Sequence, residues 1–136
     1  MKNVFERLFS KKPGPLTGTP PVRRIKNYSA QSGYVYQYYY EGHRESAAAQ
    51  GSGHEFVFRI SADRKNWRPG SVFILHAALR AWEEEHGREL NSTECYAIAK
   101  MALFQAFDER ESPPMLKEPV CVRRADVDAI VETLGL

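Results

Sequence analysis

The stretch SGYVYQYYYEG, residues 32–42, places five tyrosines within seven positions and decides how the chain can fold. Side chains alternate between the two faces of a β-strand, so a strand here has one face made of tyrosine. That face carries Tyr34, Tyr36, Tyr38 and Tyr40. The opposite face carries Val35, Gln37 and Tyr39. Which face is buried determines whether the tyrosines form a core or a binding surface.

A second alternating stretch, HEFVFRIS, indicates which face is buried. Its apolar face holds Phe56, Phe58 and Ile60, so the neighbouring strand must supply an apolar face on the same side. A core-facing Gln37 would destabilise the fold by about 1–3 kcal/mol if its amide found no partner. We therefore expect the tyrosine face to turn inward, with its hydroxyl groups at the rim or on polar partners.

The rest of the pattern predicts strands first and helices after. Residues 71–75 are read as a strand, although their spacing also fits the first turn of a helix. PVCVR is a short edge strand or an extended arm, while Asn91 with Glu94, and Gly87, mark helix ends. Strands are predicted at about 33–40, 54–61 and 70–75, and helices near 77–86, 92–109 and 125–134. The predicted fold class is α+β, a small antiparallel sheet of about three strands covered on one face by two to three helices.

The N-terminus is predicted to be a tethered peptide. Residues 1–12 form a short amphipathic segment with four apolar side chains on one face: Val4, Phe5, Leu8 and Phe9. Residues 13–27 include PGPLTGTPP and are predicted to be an extended Pro/Gly-rich linker, followed by a single domain over residues 28–136. A helix this short is marginal in water. We expect it to dock on a protein partner, with folding back onto its own domain or binding a membrane surface less favoured.

The longest predicted helix has more apolar surface than one sheet can cover. Beside its main apolar arc runs a second stripe at spacing i, i+4 and i+7, made of Ala97, Met101 and Phe104. This stripe shares its arc with Lys100 and Asp108. Either the flanking helices bury it, or it contacts a partner protein or a second copy of the chain.

The two halves of the chain differ in charge. Residues 1–68 carry a net charge of +7 and residues 69–136 carry −5, within a total of +2. Attraction between the halves is the simpler explanation, and contact of the first half with an anion is the alternative. An anion or nucleic-acid surface would use Arg23, Arg24, Arg64, Lys65, Trp67 and Arg68. Aromatic and basic side chains together can stack single-stranded bases, but no RNP or KH motif accompanies them.

Motifs for metal binding or catalysis do not occur in the sequence. No H-x-x-x-H, C-x-x-C or H-E-x-x-H spacing relates the candidate ligands, which are His43, His54, His76, His86, Cys95 and Cys121. His43 and His54 bracket a polar loop and could converge, although loop histidines are usually solvated. His76 and Arg80, one helical turn apart, would suit acid–base chemistry only in a cleft. We expect no catalytic residue, no metal site and no cofactor.

The function expected from the sequence is that of a small, non-catalytic interaction or accessory subunit. It would dock through the N-terminal peptide and the helix stripe, on a protein partner or on another copy of itself. A single-stranded nucleic-acid-binding protein is the alternative, and an enzyme with a site near His76 is the third hypothesis. No small-molecule ligand is indicated. Two distant cysteines, and no apolar run of signal or membrane length, predict a cytoplasmic protein.

Overall fold

The computed structural model describes residues 14–136, which form one five-stranded sheet and three α-helices. The strands are β1 (Lys26–Ser29), β2 (Val35–Ala48), β3 (Gly51–Ser61), β4 (Arg68–Leu75) and β5 (Val120–Val122). The helices are α1 (His76–His86), α2 (Ser92–Glu109) and α3 (Arg124–Leu134), with a 3₁₀ helix at Pro113–Lys117. The strands pair in chain order; β1 to β4 are antiparallel and β5 is parallel to β4. This mixed sheet curls into half of a barrel.

The predicted α+β class is broadly right, but the predicted small antiparallel sheet of about three strands is wrong. β1 overlaps the end of the predicted linker and is held by cross-strand pairs such as Tyr28 with Tyr36. β5 lies within PVCVR and confirms the short edge strand predicted there; it pairs with β4 only after the chain has passed through α1 and α2. The pairing partners of β1 and β5 are distant in sequence, so a local periodicity does not reveal that these strands join the sheet.

The β2–β3 hairpin is longer than the sequence indicates. Residues 41–53, predicted to be a polar loop, continue both strands up to a two-residue turn at Ala49 and Gln50. A bulge between Tyr40 and Gly42 interrupts the pairing. Gly42 has φ +141°, and a Cβ there would lie 2.8 Å from the carbonyl oxygen of Thr17. Because a bulge shifts the alternation by one residue, it hides the period-two pattern of the strand.

Residues ahead of β1 also contact the sheet. Thr17 exchanges two backbone hydrogen bonds with His43 of β2, at 2.8 and 2.9 Å. Thr17 and Lys26 both belong to the predicted linker, so parts of that segment pair with β2. The predicted peptide, residues 1–12, lies outside the described residues.

The inner face of the sheet packs against the helices. Tyr36 and Tyr38 are 0% and 5% exposed, and they share one core cluster with Phe56, Phe58 and the apolar side chains of the helices. The predicted inward orientation of these four side chains is confirmed. Tyr34, where the chain enters β2, stays 40% exposed.

The helices begin and end close to the predicted positions. The backbone N–H of Glu94 donates to Asn91 Oδ1 at 2.8 Å, and the N–H of Asn91 donates to Glu94 Oε1 at 3.0 Å, which forms the predicted capping box. Gly87 has φ +67° and caps the C-terminus of α1. The strand predicted at residues 70–75 is confirmed as part of β4. Within residues 14–136, no helix is long and apolar enough to cross a membrane.

Candidate functional site

The residues predicted for partner contact fall into two groups. Val4, Phe5, Leu8 and Phe9 lie outside the described residues, so their docking role stays a prediction. Ala97, Met101 and Phe104 lie on α2 and are half-buried. The Phe104 ring stacks on Tyr28 of β1, with ring centroids 4.4 Å apart. β1 therefore covers one side of the stripe, and partner contact at the rest of it also stays a prediction.

The residues predicted for anion contact do not form one surface. The Arg23 guanidinium lies over the Tyr39 ring at 5.0 Å, and the Trp67 ring lies 5.3 Å from the same ring. Tyr39 is consequently only 8% exposed, which leaves little of its ring for a base to stack on. Arg68 instead lines a cavity near the start of β2. The other three, Arg24, Arg64 and Lys65, are exposed.

Three side chains of metal-binding type converge near the hairpin turn. Glu45 of β2, His54 of β3 and His76 of α1 each bring one ligand atom within 4.8 Å of the others. We call these three residues the histidine cluster. Among residues 14–136 it is the only group of three or more His, Cys, Asp or Glu side chains placed this closely.

The register of the sheet builds the histidine cluster. Glu45 and His54 are direct cross-strand partners, and His54 lies opposite Ile74 of β4. Paired residues present their side chains on one face, and two residues beyond Ile74 the chain enters α1 at His76. A Cβ at Gly53 would lie 2.3 Å from the carbonyl oxygen of Ile74. Glycine is therefore needed where β3 and β4 approach closely beside His54.

The Glu45 carboxylate contacts both imidazole rings. Its Oε1 lies 2.9 Å from His76 Nε2, and its Oε2 contacts His54 Nδ1. The two ring centroids are 4.6 Å apart. On the far side, His76 Nδ1 lies 3.4 Å from Ser52 Oγ, a long contact that can help to orient the ring. The Glu45 side chain is 63% exposed and the two histidines are partly exposed, so solvent reaches the cluster.

A cleft of about 460 Å³ adjoins the cluster and has His54 in its wall. Aromatic and apolar side chains line much of it: Tyr40, Phe56, Leu90 and Tyr96. His43 lies in the same wall, so the two histidines that bracket the predicted loop do line one cleft. Both ring nitrogens of His43 are engaged, Nδ1 with the Tyr40 hydroxyl at 3.0 Å and Nε2 with the Thr17 hydroxyl at 3.2 Å. His43 is therefore held in the wall and is not free to join the cluster.

Cys95 lines this cleft but is not activated. Burial, together with the negative charges of Glu83 and Glu94, raises the pKa of its thiol to about 11. Cysteine acts as a nucleophile or a metal ligand through its thiolate. At neutral pH the Cys95 side chain is therefore a protonated thiol in an apolar wall. Burial and the neighbouring Tyr96 likewise raise the pKa of Tyr40 to about 12, so its hydroxyl remains a neutral donor.

Glu45 is the residue of the cluster that sequence reasoning overlooks entirely. Its carboxylate stands nine positions before His54 in a segment that looks like a polar loop. The two become paired only when the turn at Ala49 and Gln50 is known, because the turn sets the register. His76 joins from a third element, so no spacing motif marks the group. His76, near which the third functional hypothesis placed an enzyme site, is thus part of the cluster.

Comparison of the chain with family models, with curated proteins and with solved structures finds no match. The histidine cluster and the cleft beside it are therefore the features that point to a function.

Proposed function

We propose that the protein binds a divalent transition-metal ion through the histidine cluster. The observation that carries this proposal is that two imidazole nitrogens and one carboxylate oxygen, from three separate elements, lie within 4.8 Å of one another. Two histidines with one carboxylate form the protein ligand set of known zinc and non-haem iron sites. A bound ion would replace the direct contacts between Glu45 and the two rings with coordinate bonds.

The donor atoms narrow the choice of metal. Two nitrogen ligands and a carboxylate suit Zn²⁺, Fe²⁺, Ni²⁺ or Cu²⁺ better than Mg²⁺ or Ca²⁺, which prefer oxygen ligands throughout. Three protein ligands leave at least one coordination position for water, and such a zinc-bound water has a pKa of about 7. The cleft that shares His54 has room beside the cluster for a molecule. Catalysis by a metal-bound water would be an additional property, and the proposal made here concerns metal binding only.

A hydrogen-bonded trio without metal is the simpler alternative. In that case Glu45 would accept hydrogen bonds from both imidazoles, and an ion pair so exposed would contribute at most about 1 kcal/mol. The surroundings of His76 support the metal instead. Ser52 stands at the outer nitrogen of His76, where metal-bound histidines usually have a polar partner.

Titration of the metal-free full-length chain with Co²⁺, followed by visible absorption, tests the proposal. We expect one Co²⁺ per chain, displaced by Zn²⁺, with weaker binding in acid because protons compete for the ligands. His54→Ala and His76→Ala should each lower the affinity by more than about 100-fold, since even an outer partner is worth about 10–100-fold. Glu45→Gln should lower it too, because a neutral amide is a poorer ligand than a carboxylate.

Two other histidines serve as matched controls. His86 lies on the same helix as His76, but its ring stacks on Trp82 with centroids 4.2 Å apart and its Nδ1 bonds the Trp82 carbonyl oxygen. His43 lies in the cleft with both nitrogens engaged. His86→Ala and His43→Ala should leave Co²⁺ binding nearly unchanged. Equal losses in the controls, or no binding by the wild-type chain at millimolar Co²⁺, would contradict the proposal.

Docking on a partner protein is a second proposal, independent of the metal. Its support is the spacing of the apolar residues Val4, Phe5, Leu8 and Phe9 in the sequence and the partial exposure of Met101 and Phe104. Location in the cytoplasm belongs to the same proposal, and two free cysteines support it. Deletion of residues 1–12 tests the docking role, as set out in the Discussion.

A further inference from the structure

A second cavity, of about 610 Å³, lies at the end of β2 and β3 opposite to the histidine cluster. The start of β2, the turn between β3 and β4, and the 3₁₀ helix form its wall. Much of this wall is apolar: Tyr34, Tyr36, Ile60, Pro69, Pro113 and Leu116. We call it the tyrosine cavity. Its volume falls in the range of about 300–1,000 Å³ that small-molecule sites occupy.

One wall residue of the tyrosine cavity has an unsatisfied polar group. Tyr36 is fully buried, and its hydroxyl has no hydrogen-bond partner among residues 14–136. The Ser32 hydroxyl donates to the carbonyl oxygen of Phe107 at 3.0 Å, and its contact with the Tyr36 hydroxyl is too long or too bent to be a hydrogen bond. Burial and the neighbouring Tyr34 raise the pKa of Tyr36 by more than the Ser32 contact lowers it, so the hydroxyl keeps its proton. A buried donor without an acceptor is destabilising and rare in native proteins, which calls for an explanation.

The charged groups of the cavity leave an excess of positive charge. The Asp63 carboxylate accepts the backbone N–H groups of Lys65 and Asn66, at 2.9 and 2.8 Å, and the side-chain amide of Asn66 at 2.7 Å. It is therefore engaged within its own turn. Arg68 and Lys117 line the cavity, and neither forms an ion pair with a carboxylate of the described chain. The two charged groups that are left over, Arg68 and Lys117, are both cations.

We propose that the tyrosine cavity binds a small organic carboxylate that carries an apolar ring. Its carboxylate would pair with Arg68 and Lys117 and accept the hydrogen bond of Tyr36, after a small shift of that buried hydroxyl. Its ring would pack on Tyr34 and Leu116. A bare inorganic anion would leave the apolar wall in contact with water, and a neutral ring would gain no charge attraction from the two cations. This site is independent of the proposed metal, because it lies at the other end of the sheet.

Amide NMR shifts of the ¹⁵N-labelled full-length chain test this inference with three probes. The probes are 4-phenylbutyrate, its neutral analogue 4-phenylbutanol, and acetate. We expect 4-phenylbutyrate to produce saturable shifts at the start of β2 and at residues 113–117. The alcohol should bind at least about tenfold more weakly, since a charge-assisted hydrogen bond is worth roughly that factor or more. Acetate should also bind at least about tenfold more weakly, because it lacks the ring that packs on the apolar wall.

The Tyr36→Phe variant separates a ligand-binding hydroxyl from a structural one. If the hydroxyl serves the ligand, its removal should lower the affinity for 4-phenylbutyrate by about 2–10-fold. It should also raise the melting temperature of the ligand-free chain, because an unpaired buried donor disappears. If the hydroxyl instead stabilises the fold, the melting temperature of Tyr36→Phe should fall. The double variant Arg68→Gln/Lys117→Gln should lose about tenfold or more in affinity, whereas Lys65→Gln, in the exposed part of the same turn, should not.

Four results would overturn the proposal. They are equal binding of the alcohol, unchanged affinity in the double variant, a lower melting temperature for Tyr36→Phe, and no shift with any probe at millimolar concentration. In the same order, these results test the charge of the ligand, the two cations, the unpaired hydroxyl and the cavity itself.

Discussion

The histidine cluster and the tyrosine cavity stand at opposite ends of the same two strands, and they are built in opposite ways. At the tyrosine end the rings are packed: Tyr36 is 0% exposed and stacks on Phe107, with centroids 4.3 Å apart. At the histidine end Glu45 is 63% exposed and contacts two imidazoles across the hairpin. The tyrosine end is closed by packed aromatic rings, whereas the histidine end presents charged and polar side chains to solvent.

The difference follows from how far the helices reach along the inner face. α2 covers the strands where they carry tyrosine and phenylalanine, and its first residues reach only the edge of the cleft beside His54. Past the bulge at Gly42, β2 presents His43 and Glu45 on that face instead of aromatic rings. A strand longer than its helical cover can thus present polar ligands on the same face as the core. The two ends should therefore respond independently to mutation.

The largest effect is expected from Phe107→Ala at the tyrosine end. Phe107 is fully buried, and the rings of Tyr36 and Tyr28 lie within 4.3 and 5.7 Å of its own. The variant should lose about 3–5 kcal/mol in the free energy of unfolding, measured by urea denaturation. Phe104→Ala, at a half-buried site one turn earlier, should lose less. Co²⁺ affinity of the folded Phe107 variant should stay unchanged, and a parallel loss of metal binding would break the independence of the two ends.

Two glycines give a sharper comparison of the ends. A Cβ at Gly53 would lie 2.3 Å from the carbonyl oxygen of Ile74, whereas one at Gly70 would lie 2.3 Å from the flexible Cδ1 of Ile60. Backbone cannot move aside as a side chain can, so Gly53→Ala should destabilise by about 2–3 kcal/mol and Gly70→Ala by about 1 kcal/mol. Thermal melts followed by circular dichroism measure both.

The same two glycine variants should each weaken binding at one end of the sheet only. Gly53→Ala displaces the strand beside His54 and should weaken Co²⁺ binding. Gly70→Ala moves Ile60, which lines the tyrosine cavity, and should weaken 4-phenylbutyrate binding only. Equal stability losses, or crossed effects on binding, would contradict this account of the two ends.

A hydrogen bond of the tyrosine end gives a pH-dependent prediction. The Tyr28 hydroxyl donates to Asp108 Oδ2 at 2.7 Å, and this bond is the main cause that raises the pKa of Tyr28 to about 12. Because the folded-state pKa lies above the ordinary value of 10, the contribution to stability is present below pH 10 and is lost as the pH rises through about 12. The free energy of unfolding of the wild-type chain should exceed that of Tyr28→Phe by about 1 kcal/mol at pH 8, and this difference should disappear above pH 12. Chemical denaturation at several pH values measures it, and a constant difference would be the contrary result.

The smallest effect on stability is expected from deletion of residues 1–12. If this peptide docks on a partner, its removal should leave the melting temperature nearly unchanged and abolish recovery of the partner from the native host. Phe5→Ser/Leu8→Ser in the full-length chain is the matched variant, since it removes apolar contact but keeps the length. A fall of more than a few degrees would assign the segment to the fold, and the docking proposal would then be withdrawn.

Sequence reasoning succeeds here wherever the signal is local. The period-two faces of Tyr36, Tyr38, Phe56 and Phe58, the caps at Asn91 and Gly87, and all three helices follow from residues a few positions apart. The long hairpin, β1, the pairing of β5 with β4 and the histidine cluster do not, because each depends on which residue lies opposite another. Glu45 looks like a loop residue until the bulge at Gly42 and the turn at Ala49 set its register against His54. The tyrosine cavity needs three distant segments to meet, and no local pattern contains that information.

An anomalous difference map from a crystal soaked in Zn²⁺ tests the central claim most directly. The account predicts one strong peak within about 2.0–2.2 Å of His54 Nδ1, His76 Nε2 and an oxygen of Glu45. It also predicts no peak at His43 or His86 and none in the tyrosine cavity. A map with no peak between those three atoms, or with its strongest peak at another histidine, would contradict the claim that the histidine cluster is a metal site.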